Sequence, residues 1–417
     1  MANVLILSLV FPPDSVSTAQ IMGELANDLE SQGHKVTVLT TLPHYNRDSE
    51  VESRQPIRNY WGSVLGKSDF RGIPVYHTFM PKKGKNNFFR LFAWCGFHQV
   101  SILAGLAIVP RPDIILAPSP PLTIGVCAWI LGKFHHAPFI YNVQEIYPDI
   151  AVRLGALRNK WMIRALQCIE SFVYRKAKRI TVIAPRMHQR ILEKGVSPDK
   201  LEVIPNFVDI GDLSPLPKDN DFSRQHEIHE KFVVSYAGNM GPAQGLESFI
   251  EAAVLLQSES GIHFMMMGDG ILRESLKKRV EQSGLGKFTF LPRLAYSMMP
   301  RIYAASDVCL IPQAVETGCD AVPSKVYRIM ACARPVLATT DPESDLEHLI
   351  NDAGCGETVP PGGPSELAAV IHKAYRDQAR WNEMGQAGRA HVVEHYSRTA
   401  VTRRYHDLIQ RVIHGGE

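Results

Sequence analysis

Apolar runs alternate with segments of helical spacing along nearly the whole chain. VLILSLV (4–10) opens it, a helical pattern over about Ala19–Gln32 follows, and KVTVLTT (35–41) comes next. DIILAP (113–118), FIYNVQ (139–144), RITVIAP (179–185) and LEVIPN (201–206) continue the alternation. Short apolar runs bounded by Gly and Pro predict buried strands, and their alternation with helices predicts a parallel, doubly wound sheet. The pattern breaks in FVDIGDLSPLPKDNDFSRQHEIHE (207–230), whose Pro, Asp and Ser read as a linker. It restarts with FVVSYAGNM (232–240), HFMMMGDG (263–270), FTFLPR (288–293), VCLIPQ (308–313) and PVLATT (335–340). Helices are expected from about Leu246, near Leu272–Ser283, and over about Ser397–Ile413, the last with no strand after it. The expectation is an α/β protein of two Rossmann-like domains facing a cleft, residues 1–206 and 207–396, followed by residues 397–417.

Length agrees, because 417 residues exceed one ordinary core. The seven cysteines are scattered with no C-x-x-C, which suggests reduced thiols and a cytoplasmic location. No basic residue precedes the first apolar run and Pro12-Pro13 end it, so it reads as a strand and not a leader. No apolar run approaches the roughly 18 residues of a membrane span.

Charge changes the picture. The net +3 conceals 24 Lys and Arg against 15 Asp and Glu in residues 1–205, and 21 against 27 in the rest. Residues 70–112 hold six basic side chains and no acid; residues 151–192 hold ten and a single acid, Glu170. One half is built to face something anionic. The stretch MPKKGKNNFFRLFAWCGFHQVSILAGLAIV (80–109) couples basic residues to Phe88, Phe89, Leu91, Phe92 and Trp94. It reads as an anchor on an anionic membrane surface, or else as an amphipathic helix on the first sheet. No nucleic-acid recognition motif accompanies the charge, so nucleic acid is not an expected partner.

Candidate chemistry clusters where strands end, the place ligands occupy in open α/β sheets. Ser17 and Thr18 lie in the first strand-to-helix loop, and His44 and Tyr45 follow the second strand. QEIYPD after FIYNV offers Gln144, Glu145, Tyr147 and Asp149; a carboxylate there can take a proton or hold an acceptor, while Asp149 suits a helix cap. Gly238 and Gly241 allow close backbone approach. Gly268 and Gly270 serve either a ligand or a plain strand-to-helix turn. Pro323-Ser324-Lys325 opens a helix whose N-terminus either faces a phosphate or merely starts there. His391 and His395 have i, i+4 spacing but no third ligand in view, so no metal site is expected.

Seven segments, in order, resemble the family 4 glycosyltransferases of the GT-B fold. They are FPPDSVSTAQIMGELANDLESQGHKVTVLT, AKRITVIAPRMHQRILEKGVSPDKLEVIPNFVD, YAGNMGPAQGLESFIEAA, MMGDGILRESL, LPRLAYSMMPRIYAASDVCLIP, VPSKVYRIMACARPVLAT and YSRTAVTRRYHDLI. VQEIYPDIAVRLGAL is similar to a subgroup, WcaI-type and related transferases of colanic acid, capsule or O-antigen. The resemblance implies a nucleoside-diphosphate sugar in the second domain as substrate, no cofactor and no metal, and retained anomeric configuration. It also implies a polyprenyl-diphosphate-linked saccharide acceptor at the inner membrane face, and a helix over 397–417 that packs back on the first domain.

On the resemblance, Ser324 and Lys325 meet the diphosphate, with Lys325 neutralising it as it leaves. Three departures stand out. Asp320 and Arg328 occupy positions where many relatives have two glutamates, and a guanidinium has no acceptor for ribose hydroxyls. Asn239 and Gln244 replace Arg and Lys, leaving Arg293 as a second, weaker source of charge. Ser119-Pro120-Pro121 stands where many relatives have a histidine, so Glu145 becomes the expected base, with His44, Tyr45, Gln144 and Tyr147 as acceptor contacts. Two alternatives stay open: a nucleotide-sugar epimerase of the same fold, and a degenerate scaffold subunit of an assembly complex.

Overall fold

The computed structural model describes every residue except 15, 45–48, 62–63, 80–86, 154, 156, 316–321 and 416–417, and only the backbone of 49–51 and 87–95. Contacts divide the chain into two compact units, Met1–Pro205 with Val401–Glu417, and Asn206–Ala400.

The first unit holds β1 (Asn3–Leu7), β2 (Lys35–Thr41), β3 (Arg58–Trp61), β4 (Leu65–Phe70), β5 (Ile73–Thr78), β6 (Ile114–Pro118), β7 (Phe139–Val143), β8 (Arg179–Val182) and β9 (Leu201–Val203). Their order in the sheet is β3-β4-β5-β2-β1-β6-β7-β8-β9. The pairs from β5 through β2 to β9 are parallel, with Asn3 opposite Lys35 and Val4 opposite Ile114. The loops after β1, β2, β6 and β7 therefore share one edge, and those entering β7, β8 and β9 share the other. β6 and β7 are buried at every position, as runs without polar alternation require.

The antiparallel strands β3 and β4 were not legible. The β4–β5 turn is Arg71-Gly72, with φ of 53° and 91°, closed by Gly72 N–H to Asp69 Oδ1 at 2.7 Å. Both central residues take positive φ, and an Arg in the first place lacks the usual Asn-Gly signature of such turns.

Helix Arg398–His414 joins this first unit from Val401 onward. It buries Val401, Tyr405, Leu408, Ile409 and Val412, the 3.6-spaced stripe of an amphipathic helix. Asn142 Nδ2 on β7 donates to Thr181 Oγ1 on β8 and to Tyr405 Oη, each at 2.9 Å, and Gln144 Nε2 donates to Asn142 Oδ1 at 2.7 Å. The whole chain of groups is buried, so each lost partner is costly. Tyr405→Phe is expected to lower unfolding free energy by about 1–2 kcal/mol, measured by denaturant titration, because one Asn142 N–H is left dry and unpaired.

The second unit holds β10 (Phe232–Asn239), β11 (Ile262–Asp269), β12 (Phe288–Leu291), β13 (Val308–Pro312), β14 (Val336–Thr339) and β15 (Gly356–Val359) in the order β12-β11-β10-β13-β14-β15, all parallel. Phe249, Phe264, Met266, Leu310, Ile371 and Trp381 lie in its core. The segment read as a linker is not one. Residues 207–230 fold onto this unit: Asn220 caps helix Asp221–Gln225, Phe222 and Ile228 are buried, and Lys218 pairs with Asp307 at 2.5 Å. Its Pro and Asp are turn and cap residues of a packed segment, which composition alone does not separate from a linker.

Candidate functional site

The chemistry of the second unit gathers at the C-terminal ends of β10 and β11. Tyr236 and Gly238 sit two apart on β10 and so point to one face. Tyr236 is buried; its hydroxyl donates to the Asn239 carbonyl at 2.5 Å. The Lys325 ammonium lies over the Tyr236 ring, 4.4 Å from its centre, and donates to Tyr236 Oη at 3.4 Å. A Cβ at Gly238 would stand 3.0 Å from Lys325 Nζ and 2.9 Å from Tyr236 Oη, so a side chain there would press on both groups.

Lys325 has no carboxylate partner among the described residues. Burial, and then the charge of Arg328, pull its pKa down from 10.5 to about 8. The Arg328 guanidinium lies 5.1 Å from the centre of the Tyr296 ring and, among the described residues, pairs with no acid. Two cations one turn apart, each held on an aromatic face, make a site that favours an anion.

The helix itself adds little. It spans Lys325–Ala331, and its N-cap Ser324 makes no side-chain hydrogen bond. Val326, Tyr327, Ile329 and Met330 are buried, which answers why it exists: it is a short core helix that carries Lys325 and Arg328 on its partly open side.

Several expected donor contacts have structural employment. Gln244 Oε1 accepts from Gly241 N–H at 3.0 Å and closes the loop that ends at Gly245, φ 55°. Asn239 is exposed beside it. Gly268 (φ 152°) and Gly270 (φ 150°) answer to backbone packing: a Cβ at Gly268 would lie 1.8 Å from the Gly238 carbonyl oxygen, and one at Gly270 2.4 Å from that of Met240. Arg293 stands exposed after β12. Asp320 lies outside the described residues, as does Tyr45 in the first unit. Tyr236 and Tyr296 were missed by sequence reasoning; the two-residue spacing of Tyr236 and Gly238 on one strand was the available signal.

In the first unit, Ser17 and Thr18 open helix Ser17–Ser31, with Ser17 exposed. His44 Nδ1 lies 2.9 Å from Thr41 Oγ1 and 3.1 Å from the Leu42 carbonyl, and its backbone N–H donates to Asp14 Oδ1 at 2.9 Å. Thr41 Oγ1 donates to Leu9 O, so Nδ1 carries the proton. Gln144 is withdrawn into the Asn142 network, whereas Glu145 is exposed just past β7. Tyr147 is half-buried, and burial raises its hydroxyl pKa. Asp149 is bound to Arg190 at 3.0 Å and Lys194 at 2.9 Å, a structural role. Burial raises the Glu170 carboxyl, which Lys194 holds at 2.8 Å.

Comparison with known proteins agrees with this architecture. Residues 18–206 match the glycosyl transferase 4-like domain, and residues 218–391 match the glycosyl transferases group 1 domain. The putative colanic acid biosynthesis glycosyl transferase WcaI of Escherichia coli K12 is 25% identical over 381 residues, 89% of this chain and 92% of that one. The probable glycosyltransferase WbjE of Pseudomonas aeruginosa is 29% identical over 265 residues, 63% of this chain and 66% of that protein. Among solved structures, Anabaena HepE in complex with UDP superposes with a TM-score of 0.74 at 15% identity, covering 98% of this chain and 99% of that one.

Proposed function

We propose that this chain, which belongs to the family 4-type glycosyltransferases of the GT-B fold, moves a sugar from a nucleoside diphosphate to a lipid-linked saccharide in the building of a bacterial surface polysaccharide. The observation that carries the donor half is Lys325, a half-buried cation without an acid beside it among the described residues, seated over Tyr236 where position 238 is glycine. As the bond from the anomeric carbon to the diphosphate oxygen breaks, negative charge grows on that oxygen. Lys325 and Arg328 meet it with full positive charges already in place, which needs no rearrangement and calls for no metal ion. The structure of HepE with UDP and the likeness to WcaI support a nucleotide-sugar donor and a polysaccharide product.

On the acceptor side, Glu145 is the proposed base that takes the hydroxyl proton, with His44 and Tyr147 as acceptor contacts and the anomeric configuration retained. The polyprenyl-diphosphate acceptor places the protein peripherally on the inner face of the cell membrane. No helix among the described residues is long and apolar enough to cross one.

A thermal-shift panel with UDP, GDP, ADP, CMP and dTDP tests the donor reading. One nucleotide at about 100 times its Kd is expected to stabilise the protein by about 2.7 kcal/mol, and Arg328→Glu is expected to remove that shift. No shift with any nucleotide moves the weight to a scaffold role. A larger shift in Arg328→Glu would sink the idea that arginine is adapted to this site.

A further inference from the structure

At the edge of the first sheet remote from β7's C-terminal end, the helix ends and connections leading into three neighbouring strands are all basic. Lys133 and His136 precede β7, Arg175, Lys176 and Lys178 precede β8, and Lys200 precedes β9. Together they line a concavity of about 520 Å³ with no acidic residue in its wall. Trp129 and Phe139 supply an apolar side.

Helix C-termini attract cations, and two of them end here, at His135 and Lys176. That accounts for only part of the charge. Each helix end carries about half a negative charge, so two ends offset about one of the five full positive charges. None of the five takes part in an ion pair among the described residues. Asp199, next to Lys200 in the chain, is exposed and pairs with none of the five among the described residues, and Glu170 is turned inward onto Lys194 and Tyr174. Lys200 is tied into the cluster by donating to the Arg175 carbonyl at 2.9 Å. Burial, then Arg179 and Lys178, lower its pKa, as expected where cations crowd without an anion.

We propose that this basin is a binding site for phosphate groups, distinct from the donor site on the second unit and independent of the transferase reading. Four of the five permanent charges are lysines, compact point charges suited to phosphate oxygens, and the volume falls within the range of ligand sites. Phosphate chemistry reaches such a basin from two sources, a phospholipid surface or a soluble polyphosphate. Phe134, 67% exposed beside Lys133, suits the first.

The full chain carrying Lys325→Ala, which silences the donor site, is titrated with inorganic pyrophosphate and separately sedimented with phosphatidylglycerol or phosphatidylcholine vesicles. Lys178→Ala with Lys200→Ala is added to the same background. The expected result is binding to phosphatidylglycerol vesicles only, weakened about 30-fold by the two substitutions. Pyrophosphate binding that the substitutions abolish supports the site and makes its ligand soluble. A second pair, Lys133→Ala with Lys176→Ala, leaves the Lys200 hydrogen bond intact and must weaken binding in the same direction. Absence of both kinds of binding, or binding that both pairs leave unchanged, overturns the proposal.

Discussion

Lys325→Met is expected to abolish nucleotide binding and, at the same time, to stabilise the empty protein. The lysine is held at a cost, because burial and Arg328 both oppose its charge. An apolar side chain of similar length keeps the contact with the Tyr236 ring and removes that cost. A gain of about 1 kcal/mol is the expectation at pH 7, seen as a Tm rise of about 2–4 °C for a unit of this size. The pH dependence has a definite sign. The folded-state pKa is about 8 and the ordinary value 10.5, so between them the unfolded chain binds more protons and wild-type stability rises with pH. That rise should be missing in the variant. Nucleotide affinity runs the other way in wild type: it falls above about pH 8, as the ammonium that meets the diphosphate loses its proton. A variant that still shows the wild-type nucleotide shift would remove Lys325 from the donor site.

Gly268→Ala is expected to destabilise the second unit by about 3 kcal/mol or more. The new methyl would fall 1.8 Å from a backbone oxygen of β10, at a φ of 152°. Backbone in mid-sheet has no room to yield. Gly241→Ala is the contrast. Its Cβ would meet only the ends of two side chains, Asn239 Nδ2 at 3.1 Å and Gln244 Oε1 at 3.2 Å. Its stability should stay within about 1 kcal/mol of wild type, while nucleotide affinity drops if the donor approaches that backbone. Denaturant midpoints and the nucleotide titration separate the two. Equal loss of stability at both glycines would show that the loop after β10 is a packing element and no ligand contact.

The expected strands and the main helices appear close to where the periodicity put them, including the C-terminal helix at Arg398–His414. Most of the parallel strands were legible because a strand buried on both faces must be apolar throughout; β15, parallel but only part-buried (GETV), was not. β3 to β5 were not, because β3 is exposed at every position and the β4–β5 turn carries an arginine at positive φ. Residues 207–230 misled for a related reason: turn and cap residues have the composition of a linker whether or not they pack.

The position of Lys325 beside a glycine-rich strand end was readable in one dimension, because ligands occupy that edge of any doubly wound sheet. Its electrostatic state was not. Which side chains withdraw into the core and which remain open depends on distances between residues far apart in the chain. Tyr236 under Lys325, Tyr296 under Arg328, Gln244 turned back onto Gly241, and Gln144 taken up by Asn142, which Tyr405 also holds, were all settled that way. By itself the sequence determined the α/β class, the order of elements and the excess of positive charge in the first half. These follow from side-chain type and period alone. Tertiary structure decided that Gly268 serves a backbone contact, that Glu170 is spent on Lys194, and that six basic residues leading into three separate strands line one basin. Burial and Coulomb energy depend on distance in space, which spacing along the chain does not carry.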